Sequence, residues 1–308
     1  MSVPFLNQIT RALKEAPQAF KQISNPILIM TLLVKNEEDN LEENLCFHKA
    51  MGIDGFIITD NNSTDGTIEI IRKYQEKGWI KEVIIETATN YNQKIWVDRM
   101  IRLAQKKYHA DWVINADADE LWYSPSGDLK TELRTTKANV LKCTMKCMYP
   151  ETGKPFWEWK QAIHPIINPL KYKTYNLSRY SLYLPQRGKV LHRTTSYIQI
   201  STGNHKVLML PYNKKKSNIC IYHYSIRDKK GFLEKMINGG KQLEQNPHKH
   251  IGAHWRYFYE LYKNGLLEME YDRITGANVY NQLKKDGYIQ TDSTIADFFK
   301  QKLNKQAQ

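Results

Sequence analysis

The chain has 308 residues, of which 41% are hydrophobic and 25% are charged, and this balance excludes a generally disordered protein. The longest apolar run near the start, residues 27–34, is far shorter than the roughly 20 residues that a membrane-spanning helix needs. The formal charge is +13 with a pI near 9.3, which favours anionic partners: nucleic acid, an acidic membrane surface or a phosphorylated substrate. Because charge alone does not choose among these partners, the motifs along the chain must.

Residues 1–25 carry apolar side chains at helical spacing, interrupted at Pro17, with basic residues between them. Two interpretations stay open: the helix packs on its own domain, or it attaches peripherally to an anionic membrane surface. The N-terminus has no basic region followed by a long apolar stretch and a cleavage site, so we do not expect secretion. The expected location is the cytoplasm, at or near the inner face of the membrane.

From residue 27 the sequence alternates between apolar strands and amphipathic helices. The predicted strands are residues 27–34, 55–60, 80–87 and 111–116, and the predicted helices between them are residues 37–52, 67–78 and 92–110. This alternation predicts an α/β fold, with a mostly parallel, Rossmann-like sheet flanked by helices. In such a sheet, ligands bind beyond the carboxyl ends of the strands.

The periodicity weakens after about residue 150. Strand-like pieces are residues 188–195, 205–210 and 217–225, and helical pieces are residues 229–245, 254–264 and 293–303. We predict an N-terminal amphipathic segment (residues 1–25), one continuous catalytic domain (26–240) and a C-terminal helical extension (241–308).

The four cysteines predict reduced thiols in a cytoplasmic protein, because none of them forms a CxxC pair and a zinc site is not expected. Cys143 and Cys147 alternate with polar residues, so a strand would bury both thiols on one face.

The stretch "VINADADELW", residues 113–122, places acidic residues at the end of an otherwise apolar strand. Burying an unpaired carboxylate costs several kcal/mol, so a partner must neutralise these groups. Asp117 and Asp119 offer the hard oxygen ligands that Mg²⁺ or Mn²⁺ prefers, and such a cation commonly binds substrate phosphates as well. The alternative is a capped, hydrogen-bonded turn without a ligand.

The segments "LLVKNEEDNLEENLCFHKAMGIDGFIITDNNSTDGT" and "DWVINADADELW" resemble the bacterial glycosyltransferase family 2-like enzymes, which have a GT-A fold. The resemblance extends to "QKIWVDRMI" and "YHYSIRDKKGFLEKMINGG" and covers roughly residues 27–240. It implies a GT-A-like fold and the use of a nucleotide-sugar donor, but it does not identify the sugar.

The resemblance implies that three residues bind the nucleoside part of the donor. Asn36 and Glu37 match positions that hold the nucleoside, although they could instead simply begin the first helix. Asp60 matches the aspartate that contacts the base or the ribose.

The resemblance also implies a metal site. Asp117 matches an aspartate near ribose and metal, Asp119 matches the aspartate that ligates the metal, and Glu120 matches an acidic residue that supports the site. His223 matches a histidine that completes the metal shell, whereas a histidine taken alone is more often a structural residue.

Two further roles have weaker candidates. Arg227 and Lys229 could contact the diphosphate, with a solvated helix start as the alternative for Lys229. An inverting transfer needs a carboxylate that removes the proton of the acceptor hydroxyl. For this catalytic base we select Glu158, with Asp228 and Glu151 as rivals.

We therefore predict a metal-dependent glycosyltransferase, with Mn²⁺ or Mg²⁺ as cofactor, that moves a sugar from a nucleotide-diphosphate sugar to a glycan or lipid-linked acceptor. The reaction is expected to proceed with inversion and to serve cell-surface polysaccharide synthesis. One alternative is a nucleotidyltransferase acting on sugar phosphates, which would release pyrophosphate. The other is a basic nucleic-acid-binding protein, but the sequence contains no recognisable module of that kind, so nucleic acid is not the expected partner.

Overall fold

The computed structural model describes residues 3–88, 92–178, 180–244 and 252–306. The strands in chain order are β1 (Leu28–Val34), β2 (Gly55–Asp60), β3 (Ile80–Ile85), β4 (Trp112–Ala116), β5 (Glu120–Tyr123), β6 (Val140–Cys147), β7 (Gln161–Ile163), β8 (Val190–Arg193), β9 (Tyr197–Ile200), β10 (Val207–Met209), β11 (Lys214–His223) and β12 (Ile289–Thr291).

The helices in chain order are α1 (Val3–Glu15), α2 (Leu41–Ala50), α3 (Thr67–Glu76), α4 (Gln93–Lys106), α5 (Lys130–Thr135), α6 (Pro169–Thr174), α7 (Lys229–Glu244), α8 (Ala253–Lys263), α9 (Leu267–Thr275), α10 (Ala277–Lys285) and α11 (Thr294–Gln306). Short 3₁₀ turns lie at Ala16–Gln18, Phe156–Glu158 and Thr202–Asn204.

Eight strands form the central sheet, in the order β3-β2-β1-β4-β8-β6-β11-β5. The pairings among β1, β2, β3 and β4 are all parallel, whereas β8 runs antiparallel to both β4 and β6. Strands β2 and β4 are buried at every residue, which explains their continuous apolar sequences. The predicted α/β fold with helices flanking the sheet is confirmed.

The chain forms two compact units. Unit 1 contains the described residues up to 88, residues 92–145 and residues 187–221, and unit 2 contains the described residues of 146–186 and 222–308. The predicted boundaries at residues 25/26 and 240/241 stay predictions. No helix of the described residues is long and apolar enough to cross a membrane.

Helix α1 packs within unit 1. Ala12 is fully buried, Nη2 of Arg11 donates to the carbonyl oxygen of Tyr197 at 2.7 Å, and the carboxylate of Glu15 accepts from the backbone N–H of Ser196 at 2.7 Å. The interpretation that this helix packs on its own domain is therefore correct. Leu6 and Leu13, on its outward face, remain exposed.

Unit 2 has its own apolar core, built from α7–α10 and from β7 paired antiparallel with β12. The aromatic rings that surround Glu158 in sequence belong mainly to the interior: Phe156 and Trp159 are buried and pack against Tyr224. None of the four cysteines, all of which lie within the described residues, forms a disulfide, and Cys143 and Cys147 are buried, as predicted.

Candidate active site at the carboxyl edge of the sheet

Three of the parallel strands end at the same edge of unit 1. Val34 of β1 pairs with Asp60 of β2, and Leu32 of β1 pairs with Ala116 of β4. The residues that follow these strands therefore gather at the edge where ligands bind in α/β sheets. Asp60, which ends β2, and Asp117, which follows β4, therefore lie at the edge where the sequence predicted the ligand site.

The loops after β1 and β2 are joined by hydrogen bonds. The backbone N–H of Asn36 donates to Oγ of Ser63 at 2.9 Å, and Oδ1 of Asn36 accepts from the backbone N–H of Thr64 at 2.8 Å. The N–H of Glu37 donates to Oγ1 of Thr67 at 2.8 Å. Asn36 and Glu37 thus shape the rim of the site, and their contact with a nucleoside stays a prediction.

Asp60 ends β2 inside the protein, with only 2% of its surface exposed. Its Oδ2 accepts from the backbone N–H of Ser63 at 3.2 Å, but its Oδ1 is buried and has no hydrogen-bond partner among the described residues. A buried carboxylate oxygen without a partner is costly, because water no longer solvates it. A hydrogen-bond donor at this edge, from a ligand or from water, would remove that cost.

The acidic turn, residues 117–120, follows β4 and is neutralised by Lys189. The Lys189 ammonium lies 2.7 Å from Oδ2 of Asp117 and 2.7 Å from Oε1 of Glu120. Lys189 and Glu120 are almost fully buried, whereas the Asp117 side chain is 42% exposed. Burial by itself lowers the pKa of Lys189, but the two carboxylates outweigh it and raise that pKa above its ordinary value.

Helix α2 holds the acidic turn from its other side. Nδ2 of Asn44 donates to the carbonyl oxygens of Ala118 and Glu120, each at 2.9 Å. Nε2 of His48 accepts from the backbone N–H of Trp122 at 3.0 Å, so Nδ1 carries the proton and donates to Asn44. The four-residue spacing of Asn44 and His48 places both on one helix face. They fix the backbone of the turn.

Burial lowers the pKa of His48 to about 3, against the opposing effect of its bond to the Asn44 backbone. Because the unfolded pKa is near 6.5, the unfolded state binds more protons between these two values. The stabilising contribution of neutral His48 is therefore complete above pH 6.5 and is lost as the pH falls toward 3.

We expect the free energy of unfolding to fall more steeply with acidification in the wild type than in a His48→Gln variant. The difference in slope should approach about 1.4 kcal/mol per pH unit below pH 6.5. Urea unfolding at several pH values between 7.5 and 4.5 measures it, and His164→Gln, at an exposed position, is the control. Parallel curves for the wild type and His48→Gln would contradict a buried neutral histidine.

The backbone before Lys189 is seated deeply against β6. A Cβ atom at Gly188 would lie 1.9 Å from the carbonyl oxygen of Cys143, so only glycine fits there. The carbonyl oxygen of Gly188 accepts from Nζ of Lys142, and Nδ1 of His205 lies 3.2 Å from it. This close packing of Gly188 against β6 places the side chain of Lys189 at the acidic turn.

The other predicted residues belong to unit 2. Within it, Nδ1 of His223 lies 4.0 Å from Sγ of Cys147, and Oδ1 of Asp228 accepts from the N–H of Gly231 at 2.7 Å, at the start of α7. Arg227 is half-buried, and Glu158 is exposed at the end of its 3₁₀ turn. Asp228 therefore has a structural role, and the functional roles of these four residues stay predictions.

Lys229 also lies in unit 2, on the first turn of α7. Its ammonium lies 3.2 Å from Glu268 and 3.1 Å from Asp272. This agrees with the interpretation of Lys229 as part of a helix start.

Of the predicted metal ligands, Asp117 and Asp119 belong to unit 1, where the Asp117 side chain is 42% exposed and Asp119 is 3% exposed. Over the described ranges, no three side chains of His, Cys, Asp or Glu come together as a ready-made metal site. The pair fits the mode in which one or two carboxylates bind Mg²⁺ or Mn²⁺ and substrate phosphates and water supply the remaining ligands.

Three residues that hold the acidic turn, Lys189, Asn44 and His48, were not predicted from the sequence. Lys189 lies 72 residues from Asp117 and stands in an ordinary strand-like segment, so no local signal marks it. Asn44 and His48 have a weak signal: both are polar positions, four residues apart, in one helix.

Most of the chain, including this edge of the sheet, matches a known protein family. Residues 30–260 match glycosyltransferase family 92. No curated protein matches the sequence.

Among solved structures, residues 1–349 of S. aureus TarS are similar at 14% identity and a TM-score of 0.41, covering 83% of this chain and 74% of that chain. The same TarS fragment in complex with UDP gives 15% identity, a TM-score of 0.41 and the same coverage. A further TarS structure gives 15% identity and a TM-score of 0.39, and 45% of that chain is covered.

The family match spans well over half of the chain and includes β1–β4, Asp60, the acidic turn and Lys189. It confirms the prediction of a glycosyltransferase that the acidic motif and the GT-A resemblance suggested. The chain belongs to glycosyltransferase family 92.

Proposed function

We propose that this enzyme binds a nucleotide-diphosphate sugar together with Mn²⁺ or Mg²⁺ and transfers the sugar, with inversion, to a glycan or lipid-linked acceptor in cell-surface polysaccharide synthesis. The observation that carries the proposal is the acidic turn, fixed at the carboxyl end of β4 by Asn44, His48 and Lys189. A turn fixed by this many buried contacts is preorganised, as a site that binds a charged group must be.

Asp60 is proposed to bind the nucleoside. Its buried Oδ1 lacks a donor among the described residues, and a base N–H or a ribose hydroxyl would supply one. The hydrogen bond would then form to a charged acceptor, which makes it stronger than a bond between neutral groups.

We expect Asp60→Asn to raise the dissociation constant for the nucleotide about ten- to hundredfold, because it removes the charge from this hydrogen bond. Thermal stability should stay equal or rise, since the buried charge disappears while the size of the side chain is kept. Calorimetric titration measures the affinity, and Asp54→Asn, just before the opposite end of β2, is the matched control. Equal affinity in the wild type and Asp60→Asn would contradict the assignment.

Asp117 and Asp119 are proposed to hold the divalent cation against the donor diphosphate. The role of His223, which lies in unit 2, stays a prediction from the sequence alone. When bound, the cation would stabilise the negative charge that develops on the departing nucleoside diphosphate. Lys189 keeps one oxygen of Asp117 engaged, which leaves the other oxygen of this half-exposed carboxylate for the ligand.

Proton removal from the acceptor hydroxyl is assigned to a carboxylate of unit 2. Glu158 and its rival Asp228 are both exposed, and Glu158 is the first choice because Oδ1 of Asp228 already accepts a backbone hydrogen bond. Arg227 is proposed to contact the diphosphate. Substitution of each residue, with kcat measured separately from KM, tests these roles.

A peripheral membrane position is part of the proposal. Leu6 and Leu13 of α1 are 45% and 58% exposed, and basic residues of this segment lie near them in sequence. Such a helix can contact an anionic lipid surface while its other face packs on the protein. Co-sedimentation with vesicles of anionic and of neutral lipid tests this contact.

The donor is identified by a thermal-shift screen of nucleotide sugars in the presence of Mn²⁺. A ligand that binds the native state raises its apparent stability by about 2.7 kcal/mol at a hundredfold excess over the dissociation constant. We expect one base and one sugar to give the largest shift, and chelation to reduce it. The absence of any shift across the whole panel, with and without metal, would contradict the proposed function.

A further inference from the structure

Nearly all of the positive charge excess lies in one part of the chain. From Trp159 to Arg227 the sequence holds twelve lysines and arginines and no aspartate or glutamate, and the formal charge of the whole protein is +13. Protein surfaces ordinarily intersperse both signs of charge. A long acid-free stretch therefore indicates that part of this surface meets an anion.

In unit 1 this stretch forms most of a surface that we call the basic track, made of Lys142, Arg187, His205, Lys206, Lys214 and Lys216. Nζ of Lys142 donates to the carbonyl oxygens of Gly188 and His205, the latter at 3.1 Å, and Nδ1 of His205 lies 3.2 Å from the same Gly188 oxygen. These contacts bring Lys142 to the chain neighbours of Arg187 and Lys206.

The track continues along the sheet, where β11 lies beside β6. Lys214, Lys216 and Asn218 are exposed on β11, while Ser217 and Ile219 are buried. Side chains two residues apart on one strand face are separated by roughly 6.6–6.8 Å. The ammonium groups of Lys214 and Lys206 also lie close enough to Lys142 to lower its pKa, which burial lowers first.

The cations of the track lack acidic partners. Within the described part of the chain, Lys142, Arg187, Lys206, Lys214 and Lys216 form no ion pair. One end of the track adjoins the candidate active site, because Arg187 and Gly188 lead directly to Lys189, whose ammonium lies 2.7 Å from Asp117. The track therefore begins at the acidic turn and runs away from it.

We propose that the basic track binds the acceptor, and that this acceptor is an anionic polymer with phosphodiester or carboxylate groups repeated along its chain. The inference rests on the proposed function, because the acceptor is the second substrate of that reaction. A donor diphosphate has two adjacent phosphates and fits only cations that are close neighbours, whereas the track extends along a strand. Binding along it would hold successive anionic groups and leave one sugar at the acidic turn.

Single-stranded nucleic acid is the competing polyanion. Proteins bind it by stacking its bases on aromatic side chains in addition to contacting its backbone. On β11 the positions after Lys216 on the same face, Asn218 and Cys220, offer no stacking surface, and Tyr212, two residues before Lys214, offers a single exposed ring instead of a series of them. The chemistry of this face therefore favours an anionic glycan or polyol phosphate.

The experiment compares two track variants, Arg187→Gln/Lys206→Gln and Lys214→Gln/Lys216→Gln, with the control Lys171→Gln/Lys173→Gln. All three remove two exposed charges, and Lys171 and Lys173 lie in the acid-free stretch but in unit 2. The probes are alginate as a uronate polymer, poly(glycerol phosphate), neutral dextran and a single-stranded oligonucleotide, each at two salt concentrations.

We expect the wild type to bind at least one of the two anionic polymers and not dextran. Each track variant should weaken that binding about tenfold and reduce the salt-dependence slope by about one to two, because fewer counterions are released. The control variant should change the affinity for the polymer by less than about twofold, which is the effect expected from losing two charges that lie outside the track. Alginate and poly(glycerol phosphate) separate carboxylate from phosphodiester recognition.

The inference would be overturned by no binding of either polymer, by an equal loss in the control variant, or by tighter binding of the oligonucleotide than of both polymers. Nucleotide-sugar binding is measured in the same variants and should be unchanged. If the track variants lose nucleotide binding instead of polymer binding, the track belongs to the donor and the acceptor inference is wrong, while the proposed function stands. If the wild type binds no nucleotide sugar, the proposed function itself fails.

Discussion

Lys189→Met is expected to lower the free energy of unfolding by about 3–5 kcal/mol, because it leaves the carboxylate of Glu120 buried without its counter-charge. The ion pair between Lys189 and Asp117 contributes little to this loss, because the Asp117 side chain is 42% exposed and water screens its charge. Urea unfolding at pH 7.5 measures the change.

Two further variants separate charge balance from a general loss of packing. The double variant Lys189→Met/Glu120→Gln should recover most of the stability, because no unpaired charge remains in the interior. Lys73→Met removes the ion pair with Glu42, which has the same 2.7 Å length but side chains that are 48% and 36% exposed, and it should cost far less stability than Lys189→Met because water screens the exposed charges. If all three variants lose the same stability, the buried bridge does not have the role assigned to it.

Asp119→Asn is expected to reduce kcat at least about a hundred- to thousandfold, the loss found when an electrostatic contact to the transition state is removed. The protein should remain folded, because asparagine keeps the size of the side chain. Turnover is measured as release of nucleoside diphosphate, and Mn²⁺ binding, followed separately by electron paramagnetic resonance, should also weaken.

The matched control is Asp111→Asn, just before the opposite end of the same strand, β4, where Oδ2 of Asp111 accepts from the backbone N–H of Ile27 at 2.8 Å. It should leave turnover within a few-fold of the wild type. Chelation should abolish wild-type turnover, and added Mn²⁺ should restore it in the wild type and in Asp111→Asn but not in Asp119→Asn. Unchanged activity of the wild type after complete removal of metal would contradict the role proposed for the acidic turn.

The first half of the fold could be predicted from sequence because its signals are local. Continuous apolar runs mark β1, β2 and β4, and amphipathic segments with helical periodicity mark the helices between them. Crossover handedness and sheet geometry then follow from general rules, which is why Asp60 and Asp117 could be placed at the same carboxyl edge of the sheet.

The second half could not be predicted in the same way. Strand β8 was recognised as strand-like, but its antiparallel position between β4 and β6 depends on pairing between distant segments. Lys189 enters the site only through that pairing, which also requires glycine at position 188. The neutralising partner of the acidic turn was therefore expected in principle but could not be named.

The central claim is that the acidic turn binds the diphosphate of a sugar donor and that the sugar is the group transferred. Phosphorus NMR of the reaction products, with the purified protein, Mn²⁺ and the donor selected by thermal shift, tests it most directly. We expect the resonances of a free nucleoside diphosphate to grow, and to grow faster when an acceptor is present. Release of a sugar 1-phosphate from the same donor instead would show that a nucleotidyl group is transferred, and it would contradict the account.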